Sequence, residues 1–86
     1  MKYDWDVSKN RINLEKHQID FSEVVNFEWD EAIVRRSDRS QEQRWRAIGY
    51  LGKRLHVVVF TDRGDVRRII SLRKAGNKER REYAQA

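Results

Sequence analysis

The run Leu55-His56-Val57-Val58-Val59-Phe60-Thr61 offers apolar side chains to both faces of an extended chain. Such a segment has to be covered on both sides, so it predicts the centre of a sheet rather than an edge. The residues immediately after it fix its neighbour. Asp62-Arg63-Gly64-Asp65 is a tight hairpin turn, with Gly where a positive φ is needed, and Val66 to Arg73 reads as the next strand. Upstream, two further period-two segments, Ala32–Ser37 and Trp45–Tyr50, flank a polar loop over residues 37–43, and Leu51-Gly52-Lys53 is a turn. Short connections between consecutive strands imply an antiparallel meander.

The first thirty residues have a different period. Tyr3 and Trp5 flank Asp4 as a very short strand, and Asp6 suits the N-cap of a helix over Val7 to Lys16. Lys16 and His17 end that helix with basic side chains that match the negative end of its dipole. Asp20 and Glu23 have capping-box spacing, with Phe21, Val24, Val25 and Phe27 as the apolar stripe of a second short helix. Asn77 is placed to cap a last helix reaching Ala86. The fold class expected from spacing is α+β: two N-terminal helices packed on one face of a four-stranded antiparallel sheet, with a short C-terminal helix.

With 86 residues the chain is expected to form a single domain over 1–86, burying only about 60–65% of its unfolded surface. Hydrophobic and charged residues each make up 38%, and nine aromatic residues together with the apolar run support a packed core. There is no cysteine, hence no disulfide framework or thiolate metal site, and two histidines without suitable carboxylate spacing imply no metal or cofactor. Neither a signal-type apolar segment nor a membrane-length run is present, and a cytoplasmic location is expected.

The charge is concentrated. Eight basic residues against three acidic ones lie between Arg63 and Ala86, a balance of +5 equal to that of the whole chain. Residues 1–31 are net negative and residues 32–62 net positive. A local excess of Arg and Lys is the footprint of a polyanion partner, usually nucleic acid. Strict alternation over Val66–Arg73 places Arg67, Ile69, Ser71 and Arg73 on one face, and Arg68, Ile70 and Leu72 on the other. Arg suits phosphate because its planar fork gives bidentate hydrogen bonds at any working pH. His17 is a candidate acid or base, its pKa lowered by Lys16 and raised by the helix end; a structural or capping role is equally in view. Glu79 and Tyr83 share one face of the tail helix and are proton-transfer candidates, though Glu79 taken alone reads better as an Arg partner on an exposed helix. His56, Trp5 and Trp45 read as core, and Trp29 as an exposed contact residue for a partner or a base. No Gly-rich phosphate loop, nucleophile signature or paired-carboxylate motif is present.

Two blocks of the chain resemble the BrnT toxin family. The first comprises Tyr3, Trp5, Asp6, Lys9, Asn13, Leu14, Lys16, His17, Phe21 and Glu23; the second Thr61, Arg63, Gly64, Arg68, Ile70, Ser71, Arg73, Ala75, Glu79, Arg80 and Tyr83. Gln18 departs from the pattern, standing where the family usually has Gly, which bears on the loop between the two expected helices. The resemblance implies a RelE-like fold and a ribonuclease toxin of a type II toxin–antitoxin pair. It implies RNA as substrate and a BrnA-type antitoxin whose dimerisation makes a heterotetramer. Operator DNA would be reached only through the antitoxin.

Metal-independent RNA cleavage needs a base for the 2′-OH, an acid for the departing 5′-oxygen, and cations for the phosphorane. On that expectation Arg68 and Arg73 clamp phosphate, Lys16 adds a cation, and His17, Glu79 and Tyr83 are the acid–base candidates; Arg35 and Arg36 contribute salt-dependent affinity. The rival from another class is a non-catalytic basic module that binds nucleic acid or protein, for which composition speaks equally. A DNA-binding partner ranks lower, since no helix-turn-helix or basic β-ribbon pattern is evident.

Overall fold

The structure is a computed structural model and describes residues 1–37 and 42–86. Five strands, β1 (Lys2–Trp5), β2 (Ile33–Arg36), β3 (Trp45–Leu51), β4 (Arg54–Arg63) and β5 (Val66–Lys74), form one sheet in the order β1-β5-β4-β3-β2. Strands β2 to β5 are the expected antiparallel meander, with β4 central. Gly52 and Gly64 adopt positive φ in the two hairpin turns, of +64° and +62°. Part of the expected polar loop, residues 38–41, lies outside the described residues.

The expected architecture of two helices on a four-stranded antiparallel sheet, with the RelE-like form attached to it, is not the one observed. The sheet has five strands and is mixed, because β1 pairs in parallel with β5, Tyr3 opposite Arg67 and Trp5 opposite Ile69. A four-residue strand has too little local signal to reveal a partner sixty residues away. Its register is set by Tyr3 and Trp5 packing against the main core.

Only one α-helix lies in the N-terminal part, α1 (Val7–His17). Asp6 caps it, its carboxylate accepting from Ser8 N at 2.8 Å and Lys9 N at 3.2 Å. The second expected helix is a 3-10 segment, Phe21–Asn26, with another short 3-10 turn at Trp29–Glu31. The apolar spacing explains this. Phe21, Val24 and Phe27 recur every third residue and are all buried, whereas Val25 is 67% exposed. A period of three suits a helix with three residues per turn.

The core lies on both sides of the sheet. One cluster joins Phe21, Val24 and Phe27 to Ala47, Val58, Phe60, Ile69 and Leu72. A smaller one on the other face gathers Ile48, Val57 and Ala75 with the partly buried Ile33, Leu55 and Tyr83. The latter lies beside α2 (Asn77–Ala84), which begins after Gly76 in the N-cap position. The carboxylate of Glu79 accepts from Gly76 N at 2.7 Å and closes the first turn.

Trp29 is not an exposed contact residue. It is half-buried against the main cluster, stacked with Tyr3 at 6.3 Å and edge-on to Phe27 and Phe60 at 4.8 and 5.2 Å. Arg67 covers it at 4.5 Å.

Candidate nucleic-acid interface

Strict alternation does not survive along β5. The register with β4 shifts by one between Val59 and Phe60, leaving Ile70 without a cross-strand partner. Ile69 and Leu72, three apart, therefore both reach the main core. Ser71 and Arg73 take the opposite face, across from Val59 and Val57. Such bulges commonly re-aim side chains beside functional sites.

Two clefts meet at this bulge. The larger, of about 520 Å³, is lined by Arg36, Ser37, Arg44, Arg46, Val59, Ile70, Ser71 and Arg73. The smaller, of about 200 Å³, has Lys9, Ile12, Asn13, Lys16 and His17 along α1, and shares Ile70 and Ser71 with the first. Together they make a continuous cationic surface from the end of α1, over the bulge, to the β2–β3 hairpin. An array of guanidinium and ammonium groups in a concave, partly desolvated surface attracts phosphates more strongly than scattered surface charge.

A side-chain amide ties the helix to the strand. The Asn13 side chain donates to Leu72 O at 2.8 Å and accepts from Leu72 N at 3.2 Å, standing in for the neighbouring strand where β1 has ended. It also donates to Ile19 O at 3.1 Å. One turn earlier, Asn10 accepts from Phe21 N at 2.8 Å and donates to Asp20 at 3.3 Å. These contacts place Lys16 and His17 beside Ser71.

His17 is half-buried there. Its pKa lies below the ordinary 6.5, lowered first by burial and then by the charges of Lys16 and Arg73. The imidazole is therefore mainly neutral near pH 7 and able to accept a proton. Arg73 donates to Glu79 at 3.1 Å and to Lys74 O at 3.3 Å. Hydrogen bonds from Arg73 first, and then from the Gly76 amide, hold the Glu79 carboxyl below its usual range, so it is ionised at neutral pH.

The structure thus brings together Lys16, His17, Arg73 and Glu79. It sets two other candidates apart. Arg68 pairs with Asp4 of β1 at 3.2 Å and lines neither cleft. The Tyr83 hydroxyl donates to Glu31 O at 3.1 Å, and the ring meets Tyr50 edge-on at 5.7 Å, in a separate cleft with Phe27 and Trp29. Arg44 and Arg46 are not singled out by sequence, although both line the larger cleft. Arg46 forms a bidentate pair with Glu82 at 3.1 and 3.2 Å, and the buried Nε–H of Arg44 has no hydrogen-bond partner among the described residues. The spacing Arg44-Trp45-Arg46, around a residue packed on the core, was the available signal.

Among the described residues no group of three or more His, Cys, Asp or Glu is arranged to hold a metal ion. No helix there is long and apolar enough to cross a membrane.

A small mixed sheet with an arginine-lined cleft and a neutral histidine at its end defines a polyanion-binding protein with a proton-transfer group at hand. Similarity to known proteins narrows this class. A sequence model of the family described as "Ribonuclease toxin, BrnT, of type II toxin-antitoxin system" matches residues 5–79, and the chain belongs to this BrnT family. The 1.1 Å crystal structure of the Brucella abortus ribonuclease toxin BrnT is similar in fold, with a TM-score of 0.74 and 30% identity, covering 90% of this chain and 99% of that one. No curated protein sequence matches significantly. Membership in a family of type II ribonuclease toxins implies RNA as the substrate and an antitoxin as the partner.

Proposed function

We propose that residues 1–86 act as a single toxin domain that cuts RNA internally without a metal ion, blocking translation and growth. The observation that carries this reading is the placement of His17, with its lowered pKa, beside Lys16 and across Ser71 from Arg73. In the proposed step, neutral His17 takes the proton of the 2′-OH. The resulting alkoxide attacks the adjacent phosphorus, the bond to the 5′-oxygen breaks, and a 2′,3′-cyclic phosphate is left. Arg73 holds the phosphate, and the Lys16 ammonium gives its proton to the departing 5′-oxygen, leaving a 5′-hydroxyl, and regains one from water.

Glu79 holds Arg73 in the free protein and is assigned no proton transfer, because its carboxylate is committed to the guanidinium and the Gly76 amide. Tyr83 anchors α2 through Glu31, and Arg68 adds charge at the rim while paired with Asp4. A BrnA-type antitoxin would neutralise this cationic surface by charge complementarity, in a heterotetramer built on antitoxin dimerisation, and operator DNA would be bound by the antitoxin.

The test is purified protein on a defined single-stranded RNA in EDTA, resolved on a denaturing gel beside Arg73→Ala. Cleavage by wild type alone supports the assignment. Full activity of the folded variant would remove Arg73 from the site. RNA bound but recovered intact, with and without translating ribosomes, would favour the non-catalytic binding module instead.

A further inference from the structure

Two arginines of the cleft, Arg73 and Arg46, are held by carboxylates of the one helix α2. Glu79 takes Arg73 at 3.1 Å and Glu82 takes Arg46 with both oxygens at 3.1 and 3.2 Å. Glu79 and Glu82 are three apart, so their Cβ atoms are about 5–6 Å from each other. That is comparable to the separation of neighbouring phosphates on a single strand. A carboxylate and a phosphate present the same pair of acceptor oxygens to a guanidinium fork. Arg44 lies beside them in the cleft, its buried Nε–H still lacking an acceptor among the described residues. The helix that supplies the carboxylates has no fully buried residue and is held to the rest of the protein through Tyr83 near its far end.

We propose that Arg46 and Arg73, with Arg44 alongside, form a subsite for two neighbouring phosphates of RNA, and that Glu79 and Glu82 occupy it in the free protein as phosphate surrogates. RNA seats by displacing α2 from these two arginines. This rests on the ribonuclease reading above and assigns its substrate register and an intramolecular competitor. The acidic side chains of α2 thereby lower affinity for free anions, and a strand carrying two phosphates in register replaces both pairs at once.

The experiment uses the full chain and a 2′-O-methyl oligoribonucleotide, which lacks the attacking hydroxyl and is not cut. With saturating oligonucleotide, the amides of Asn77–Ala84 are expected to exchange hydrogen about tenfold faster than in the free protein. Unchanged or slower exchange with RNA bound would overturn the displacement while leaving the ribonuclease reading in place. Glu82→Gln is expected to tighten binding by about fivefold or more, and Glu28→Gln, which removes an equal charge outside the cleft, by less than about twofold. Equal effects of the two would reduce Glu82 to a general charge and overturn the surrogate role. A trinucleotide with two internal phosphates should compete about tenfold better than a dinucleotide with one, and equal competition would overturn the two-phosphate register. Failure of wild type and Glu82→Gln alike to bind RNA would defeat both this proposal and the reading it rests on.

Discussion

Asn13 completes the edge of β5 at Leu72, donating to its carbonyl at 2.8 Å and accepting from its N–H at 3.2 Å. The side chain replaces a strand at the place where β1 turns into α1, and it is itself buried. Asn13→Ala leaves two buried backbone groups unpaired, each costing about 1–3 kcal/mol. A loss of about 3 kcal/mol in urea unfolding is expected. Asn13→Asp keeps the acceptor for Leu72 N–H but loses both donated bonds, so it should also destabilise. A variant as stable as wild type would show that water substitutes for the amide.

Gly49 lies buried in β3, where a Cβ would meet Phe27 Cζ at 2.9 Å and Ala32 Cβ at 3.0 Å. Ala32 is tied down by its N–H bond to Trp29 O, so the neighbours have little room to yield. Gly49→Ala is expected to cost about 1–3 kcal/mol by overpacking. Unchanged thermal stability would show that the Phe27 ring moves aside freely.

Gln18 ends α1 in the left-handed region, at φ +59° and ψ +30°, and its side chain donates to Glu15 O at 2.9 Å. An L side chain costs about 1–2 kcal/mol there, while glycine adds about 0.4–1 kcal/mol of unfolded-state entropy. Gln18→Gly is therefore expected to stabilise by about 0.5 kcal/mol, and the β-branched Gln18→Val to destabilise by more than about 1 kcal/mol. Identical denaturation midpoints for all three would contradict the strain.

Arg67 belongs to the basic stretch of sequence but serves the fold. It makes a bidentate pair with Asp62 at 2.8 and 3.0 Å and lies over Trp29 and Phe60 at 4.5 and 4.3 Å. Arg67→Ala should lower stability by about 2 kcal/mol, through lost cation–π contact and packing, with little change in RNA affinity. Arg44→Ala should show the reverse pattern. A matched loss of RNA affinity in both, measured at the same salt, would mean that Arg67 also contacts RNA.

Two groups of the candidate site, of opposite kind, give it a pH dependence. His17 has a folded pKa below 6.5, so the native state resists its protonation, and its contribution to stability falls as pH drops below the unfolded value. Activity that needs neutral His17 should rise with pH along an acid limb centred below 6.5 and then level off. In His17→Asn that limb should vanish with most of the rate; its persistence would assign the base elsewhere. Glu79, depressed by Arg73 and the Gly76 amide, contributes stability that is present above its unfolded pKa of about 4.5 and lost as pH falls through its folded value. Glu79→Gln should flatten that acid loss in an unfolding titration.

Sequence alone is enough for the meander, the cap at Asp6, the two glycine turns and the basic character of the C-terminal third. Each is a local matter: side-chain period, a carboxylate before a helix, a positive φ, a charge count. The two blocks of motif residues are also enough for the family. Whatever depends on distant segments meeting is settled by packing in three dimensions. Packing adds β1 to the sheet in parallel and shifts β5 at Ile70 so that Ile69 and Leu72 share a face. That shift turns Ser71 and Arg73 toward Arg44 and Arg46, residues whose local mark is no more than their spacing around Trp45. Arg68 and Tyr83 lie outside the cleft, Arg68 paired with Asp4 and Tyr83 bonded to Glu31 O. Charge is legible residue by residue; which charges converge is set by register, and register is a property of the packed sheet.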